Sequence, residues 1–238
     1  MKKVLTVAVC KNAGAELPAK EEIEILYAEE GGKALYELLK QIKSKYAVLV
    51  DSDFVCGETE AFLKELDDAS ADIVVFEGGY LFKSAVLKSL PAKYCVDRYS
   101  AEIFAAFNAK SVATVKLKPF TFSAVHTEYS DEIAAMLTDA LDEFKRSKAK
   151  LTKEVYSFIF EALLSRLITF YMSAMLAIKA KAINAETLKE FDSRLKDNIV
   201  LYLALEKRFY AADLKKLRAK DFKISFIQAN KFKKRIRK

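Results

Sequence analysis

The sequence predicts an α/β domain with a mostly parallel sheet over about residues 1–130, followed by an all-helical region over 131–238. Three observations carry this expectation. Through the front part, apolar runs of strand length alternate with helical patterns in a β-α-β-α-β series. From Ser130 onward the apolar spacing is helical only. The charge divides at the same place: residues 1–130 hold 16 basic and 19 acidic side chains, and residues 131–238 hold 24 and 14, so the two parts carry −3 and +10.

Taken in order, Val4–Cys10 is an apolar run of strand length. Its lysine-flanked start resembles a signal segment, but the run is too short and no small-residue cleavage site follows, so it reads as a first strand. Ile23–Tyr27 is a second strand. A helix follows over about 33–43, with Leu35, Leu38, Leu39 and Ile42 at helical spacing. Tyr46–Val50 is nearly continuous in apolar residues, as suits a strand covered on both faces of a parallel sheet, and it runs into Asp51-Ser52-Asp53. A helix over about 58–66 and a strand over 72–76 complete the series. Gly78-Gly79 then reads as a turn, Asp97–Asn108 as a helix, and Val112–Leu117 as a strand stopped by Pro119.

The helical region is expected at about 131–147, 153–183, 185–209 and 211–220, with Asp131 and Glu132 where a first helical turn favours acids. Between Val155 and Ile178 only Glu161 and Arg166 are charged. The longest uncharged stretch there, Leu167–Ile178, falls short of the roughly 18–20 residues a membrane span needs, so a buried bundle helix is the reading.

Composition limits the function classes. With 238 residues, 52% hydrophobic and 31% charged, the chain can build a substantial core, which excludes disorder and collagen-like repeats. Only six Gly and three Pro occur, so regular elements with short connections must dominate. Cys10, Cys56 and Cys95 are an odd number without C-x-x-C spacing, which fits a reducing cytoplasm better than a disulfide framework. A single histidine excludes His-rich metal sites, and no Walker A, G-x-S-x-G or G-x-G-x-x-G string occurs.

The tail 222–238 carries seven basic residues and no acid, interleaved with Ile224, Phe226, Ile227 and Phe232. It admits three readings: a basic amphipathic segment at an anionic membrane surface, on the inner face if the chain is cytoplasmic; a nucleic-acid contact, the least favoured; and a solvated terminus. The helices upstream could also pair with a second copy.

The residues that carry chemistry centre on Asp51-Ser52-Asp53. In open α/β sheets ligands bind outside the carboxyl ends of the strands, where these side chains would project. Two carboxylates one residue apart can hold a hard divalent cation, which in turn binds a diphosphate. D-x-D alone is a weak signal, and its position after a buried strand is what strengthens it.

In that context the stretch Ile23–Val55 resembles the heart of family 2 glycosyltransferases of the GT-A fold. Gly31-Gly32, Tyr46 and Asp51-Ser52-Asp53 fall where that family has a glycine turn, a strand and its D-S-D-D motif. Ala71–Val75 is similar to the strand after the metal motif. Ala109-Lys110 with Val112–Pro119 is similar to the A-K-K segment. Pro119–His126 is similar to the P-L-Y-Y-Y-R-x-H segment, so the one histidine lands on the family's histidine.

The resemblance covers about residues 4–130 and implies a GT-A-like, Rossmann-like fold with a nucleotide-sugar donor and a glycan or lipid-linked acceptor. It implies Asp51 and Asp53 as donor and metal residues with Mn²⁺ or Mg²⁺, and Gly31, Gly32 and His126 at the donor. The pair that supplies the family's general base aligns with Asp97-Arg98, where arginine stands at the base position and cannot accept a proton. Asp97 is the replacement expected, with Glu102 one turn along. Two further departures concern the donor. Lys11–Glu22 is too short for the helix and second strand that end in the base-binding motif, and Phe54 replaces an acid after Asp53. Glu29-Glu30 put negative charge beside the diphosphate position, and Tyr80, Tyr94 or Tyr99 could form a sugar platform. Two functions of different class follow: an inverting glycosyltransferase, or a catalytically inactive GT-A-like protein for binding, regulation or assembly.

Overall fold

The computed structural model describes residues 3–10, 15–16, 22–28, 33–51, 54–57, 59–122, 129–179, 182 and 189–208. The chain forms two compact units, one of residues 1–126 with 147–159 and one of 127–146 with 160–238.

The first unit is an α/β structure built on β1 (Leu5–Val9), β2 (Ala15–Glu16), β3 (Ile23–Tyr27), α1 (Ala34–Gln41), β4 (Tyr46–Val50) and β5 (Phe54–Cys56). It continues through α2 (Thr59–Asp68), β6 (Ile73–Phe76), β7 (Gly79–Lys83), α3 (Ser84–Lys88), a 3-10 turn at Ala92–Tyr94, α4 (Arg98–Asn108), β8 (Val112–Thr114) and β9 (Phe120–Phe122). Six strands form one sheet in the order β3-β1-β4-β7-β6-β8. Only β7 runs antiparallel to its neighbours β4 and β6. A second sheet joins β2, β5 and β9.

β1 and β4 are buried along their whole length, as strands at the centre of a parallel sheet must be, which explains their apolar sequences, broken only at Thr6 of β1, whose hydroxyl is hydrogen-bonded to Glu24 and Ser44. The Phe62, Phe76 and Phe120 rings meet edge to face, with centroids 5.4–6.3 Å apart, where α2 packs on the sheet. Tyr46 starts β4 fully buried, and its hydroxyl donates to the Ala71 and Ala69 carbonyls at 2.8 and 3.1 Å.

The strand expected at Ile23–Tyr27 is present as β3, although the Lys11–Glu22 stretch ahead of it is shorter than a helix-and-strand unit needs. It pairs parallel to β1 with Leu5 opposite Ile23 and Val9 opposite Tyr27. A parallel crossover needs about a dozen residues, which residues 10–22 supply, with β2 rather than a helix among the described part of that connection.

β7 is the longest strand not expected from the sequence, which also left β2, β5, β9 and α3 unplaced. The two-residue connection Glu77-Gly78, with Gly78 at φ +98°, returns the chain beside β6 as a hairpin. The strand expected over 112–117 is β8 at Val112–Thr114, and its hydrogen bonding to the β6 side continues beyond it, with the Val115 amide donating to the Val75 carbonyl at 2.8 Å and the Glu77 amide to the Leu117 carbonyl at 3.0 Å.

The second unit is helical: α5 (Asp131–Ser147), the greater part of α6 (Lys153–Lys179), α7 (Lys189–Lys196) and α8 (Ile199–Arg208). α5 buries Met136, Leu137, Ala140, Leu141 and Phe144, one face at helical spacing. By length and composition Lys153–Ala174 of α6 is apolar enough to cross a membrane. Leu163, Leu164, Leu167, Phe170, Tyr171 and Ala174 are nonetheless buried in the unit, and Phe170 packs on Phe191 at 4.7 Å.

The helix expected over 185–209 is two helices, broken at Asp197-Asn198. The Asn198 side chain donates to the Arg194 carbonyl at 3.3 Å, a backbone acceptor near the end of α7, and to the Leu141 carbonyl of α5 at 3.4 Å. The helix expected at 211–220 lies outside the described residues.

Candidate functional site

The parallel strands β3, β1 and β4 end side by side, with Val9 level with both Tyr27 and Val50. Asp51 is the first residue past β4 and is therefore delivered to the edge of the sheet where α/β proteins bind ligands. Its neighbour at the end of β1 is Cys10, whose amide donates to the Val50 carbonyl at 2.6 Å.

The start of α4 meets this edge. Asp97 is the helix cap, and its carboxylate accepts the Ser100 amide at 2.7 Å, which satisfies one of the orphan donors of the first turn. Arg98 is the first helical residue. Its Nη1 donates to Asp51 Oδ1 at 2.9 Å, and its Nε donates to Glu102 Oε1 at 2.8 Å, one helical turn along. On β7, beside β4, the Tyr80 hydroxyl donates to Glu102 Oε2 at 2.7 Å. The Tyr80 ring packs edge to face on Phe158 at 4.9 Å.

The side chains of Asp51, Arg98 and Glu102 are 7%, 13% and 3% exposed, so two carboxylates and one guanidinium form a nearly buried cluster with Tyr80. Burial pushes the Glu102 carboxyl above its ordinary range, against the Arg98 and Tyr80 bonds that favour its charged form. Burial alone would lower the Arg98 guanidinium, but Glu102, Tyr80 and Asp51 hold it above its usual value. Tyr80 is raised well above an ordinary phenol by burial and by Glu102. The Cys10 thiol, raised to about 12 chiefly by burial, remains protonated at neutral pH and is no nucleophile.

Of the residues singled out in the sequence, Asp51 is joined to the start of α4 by Arg98, the residue that follows Asp97. Glu102 is enclosed by Arg98 and Tyr80, so it is not placed to take a proton from an incoming hydroxyl. Asp97 is half-buried at the mouth of α4. Asp53, His126, Gly31 and Gly32 lie outside the described residues.

Asp51 Oδ1 is committed to a guanidinium, which does not suit a metal ligand. Among the described residues no three His, Cys, Asp or Glu side chains gather as a metal site. Tyr80, considered in the sequence as a sugar platform, spends its hydroxyl on Glu102 and its ring on Phe158. Tyr94 stacks on Phe104 at 3.7 Å. The sequence signal that was available for the buried cluster is the i, i+4 spacing of Arg98 and Glu102.

The architecture defines a fold class: α/β, with a mostly parallel six-stranded sheet of the GT-A type. The chain aligns over 93% of its length with the crystal structure of S. aureus TarS, a GT-A-type glycosyltransferase, at TM-score 0.52 and 14% identity, and spans about half, 53%, of that chain. Two structures of TarS residues 1–349, one in complex with UDP-GlcNAc, align at TM-scores of 0.48 and 0.47, with 13% and 12% identity, over 92% of this chain and 85% of theirs. The likeness of fold rests on the first of the three. No protein-family model and no curated protein matches the sequence.

Proposed function

We propose that this chain binds a nucleotide sugar outside the carboxyl ends of β1 and β4 and transfers the sugar to a hydroxyl of a glycan or lipid-linked acceptor. The observation that supports this reading is Asp51 at the end of a fully buried central strand of a GT-A-like sheet. In the proposed reaction the bond from the anomeric carbon to the diphosphate breaks as the acceptor oxygen attacks from the opposite face. The acceptor proton passes to a carboxylate, for which Asp97 at the start of α4 is the candidate. Gly31, Gly32 and His126 complete the proposed donor site. Because Asp51 is engaged by Arg98, a Mn²⁺ or Mg²⁺ ion is assigned to Asp53, where it would neutralise the leaving diphosphate.

A second reading, a GT-A-like protein that binds without turnover, is favoured by one observation: an arginine follows the cap of α4 and reaches Asp51. Loss of a general base costs typically about 10²- to 10⁴-fold in rate. Calorimetric titration with UDP-, GDP- and TDP-sugars, with and without Mn²⁺, is the test. Heat that disappears in Asp53→Ala, together with sugar transfer or donor hydrolysis, supports the transferase. The same heat without turnover selects the second reading. A folded protein that binds no donor under any condition sinks both.

A further inference from the structure

α8 is apolar on two opposite faces. Leu201 and Leu205 are buried against the helical unit, as an amphipathic helix requires. Ile199, Val200 and Leu203 lie across the helix from them and are exposed by 56%, 56% and 53%. At 100° per residue these three fall within one 100° sector, which also contains the exposed Lys207. Scattered apolar residues on a surface need no explanation, but three large ones on one face of one helix do.

The sequence that follows α8 indicates what covers this face. Residues 209–238 hold 11 basic and 2 acidic side chains, a balance of +9, so nearly all of the +10 excess of residues 131–238 lies directly beyond the helix. A second copy on this face would bring two such segments toward each other, and like charges oppose that association. An anionic lipid surface attracts them and accepts apolar side chains at its acyl boundary.

We propose that the Ile199-Val200-Leu203 face of α8 and the basic stretch after it form a two-part attachment to an anionic membrane. The apolar face enters the headgroup boundary, and the basic residues hold the chain at the negative surface. Each part alone gives marginal, reversible binding, as single membrane signals do, and the two together give stable association.

The test is sedimentation of the full chain with phosphatidylcholine vesicles, with and without phosphatidylserine. Binding is expected only with phosphatidylserine, and it should weaken as salt rises. Replacing Ile199, Val200 and Leu203 together by Ser is expected to weaken it about tenfold or more, with the circular-dichroism spectrum unchanged because the three side chains are exposed. Replacing Lys233, Lys234 and Arg235 by Gln, which leaves the described helices untouched, is expected to weaken it and flatten its salt dependence. Vesicle binding equal to wild type in the serine variant overturns the proposal, as does no binding by the wild-type chain. A serine variant that turns a dimer into a monomer in analytical ultracentrifugation, with vesicle binding unaltered, assigns the face to self-association instead.

Discussion

Arg98 stands between two carboxylates, and a buried ion pair broken on one side costs more than it contributed when intact. Replacing Arg98 by Met leaves Asp51 and Glu102 nearly buried without their cation. A loss of about 3–5 kcal/mol at neutral pH is expected, measured by urea unfolding. The pH dependence has a definite sign. Burial already holds the Glu102 carboxyl above its ordinary value of 4.5, and removing the guanidinium raises it further. A carboxyl raised in the folded state contributes stability that is complete below its unfolded value and lost as pH rises through its folded value. The deficit of Arg98→Met should therefore shrink as pH falls from neutral toward that ordinary value. A deficit independent of pH would show that the carboxylates find another partner.

Among the elements, β5 and its partner β9 show how closely the backbone approaches itself beside the proposed site. Gly57 directly follows β5, and its amide donates to the Pro119 carbonyl at 2.8 Å. A β-carbon built on Gly57 would lie 2.6 Å from the Lys118 carbonyl oxygen, a backbone atom that cannot turn aside as a side chain could. Gly57→Ala should cost about 1–3 kcal/mol through displacement of the 118–119 segment, read as a lowered midpoint in thermal unfolding. An unchanged midpoint would mean that β5 and β9 part without loss. Elements with internal periodicity, such as α1, α2, α4 and α5, fall within a few residues of their expected bounds because each buries one face of its own sequence. β7 was missed although Gly78-Gly79 reads as a turn, because its role depends on fitting between β4 and β6. The α7–α8 break was missed because Asn198 finds an acceptor at Leu141, on another helix.

At the scale of the molecule, stability of the α/β unit rests on the aromatic cluster where α2 meets the sheet. Phe62 is fully buried against Phe76 and Phe120, so Phe62→Ala should cost about 3–5 kcal/mol and lower the unfolding midpoint far more than any exposed change on α1 or α2. A small shift would mean that the cavity collapses and that the three rings are not the centre of that core.

The sequence by itself determined the α/β-then-helical order, the buried central strands and the delivery of Asp51 to their carboxyl ends. Those features follow from local periodicity and from strand burial, which a linear string records. Only the tertiary structure decided the place of β3 beside β1, the insertion of β7 as the antiparallel strand of the six-stranded sheet, and the closure of Arg98 onto Asp51. The last joins residues 47 positions apart. Such pairings depend on which strand ends and helix starts share one edge of the sheet, and no spacing along the chain encodes that.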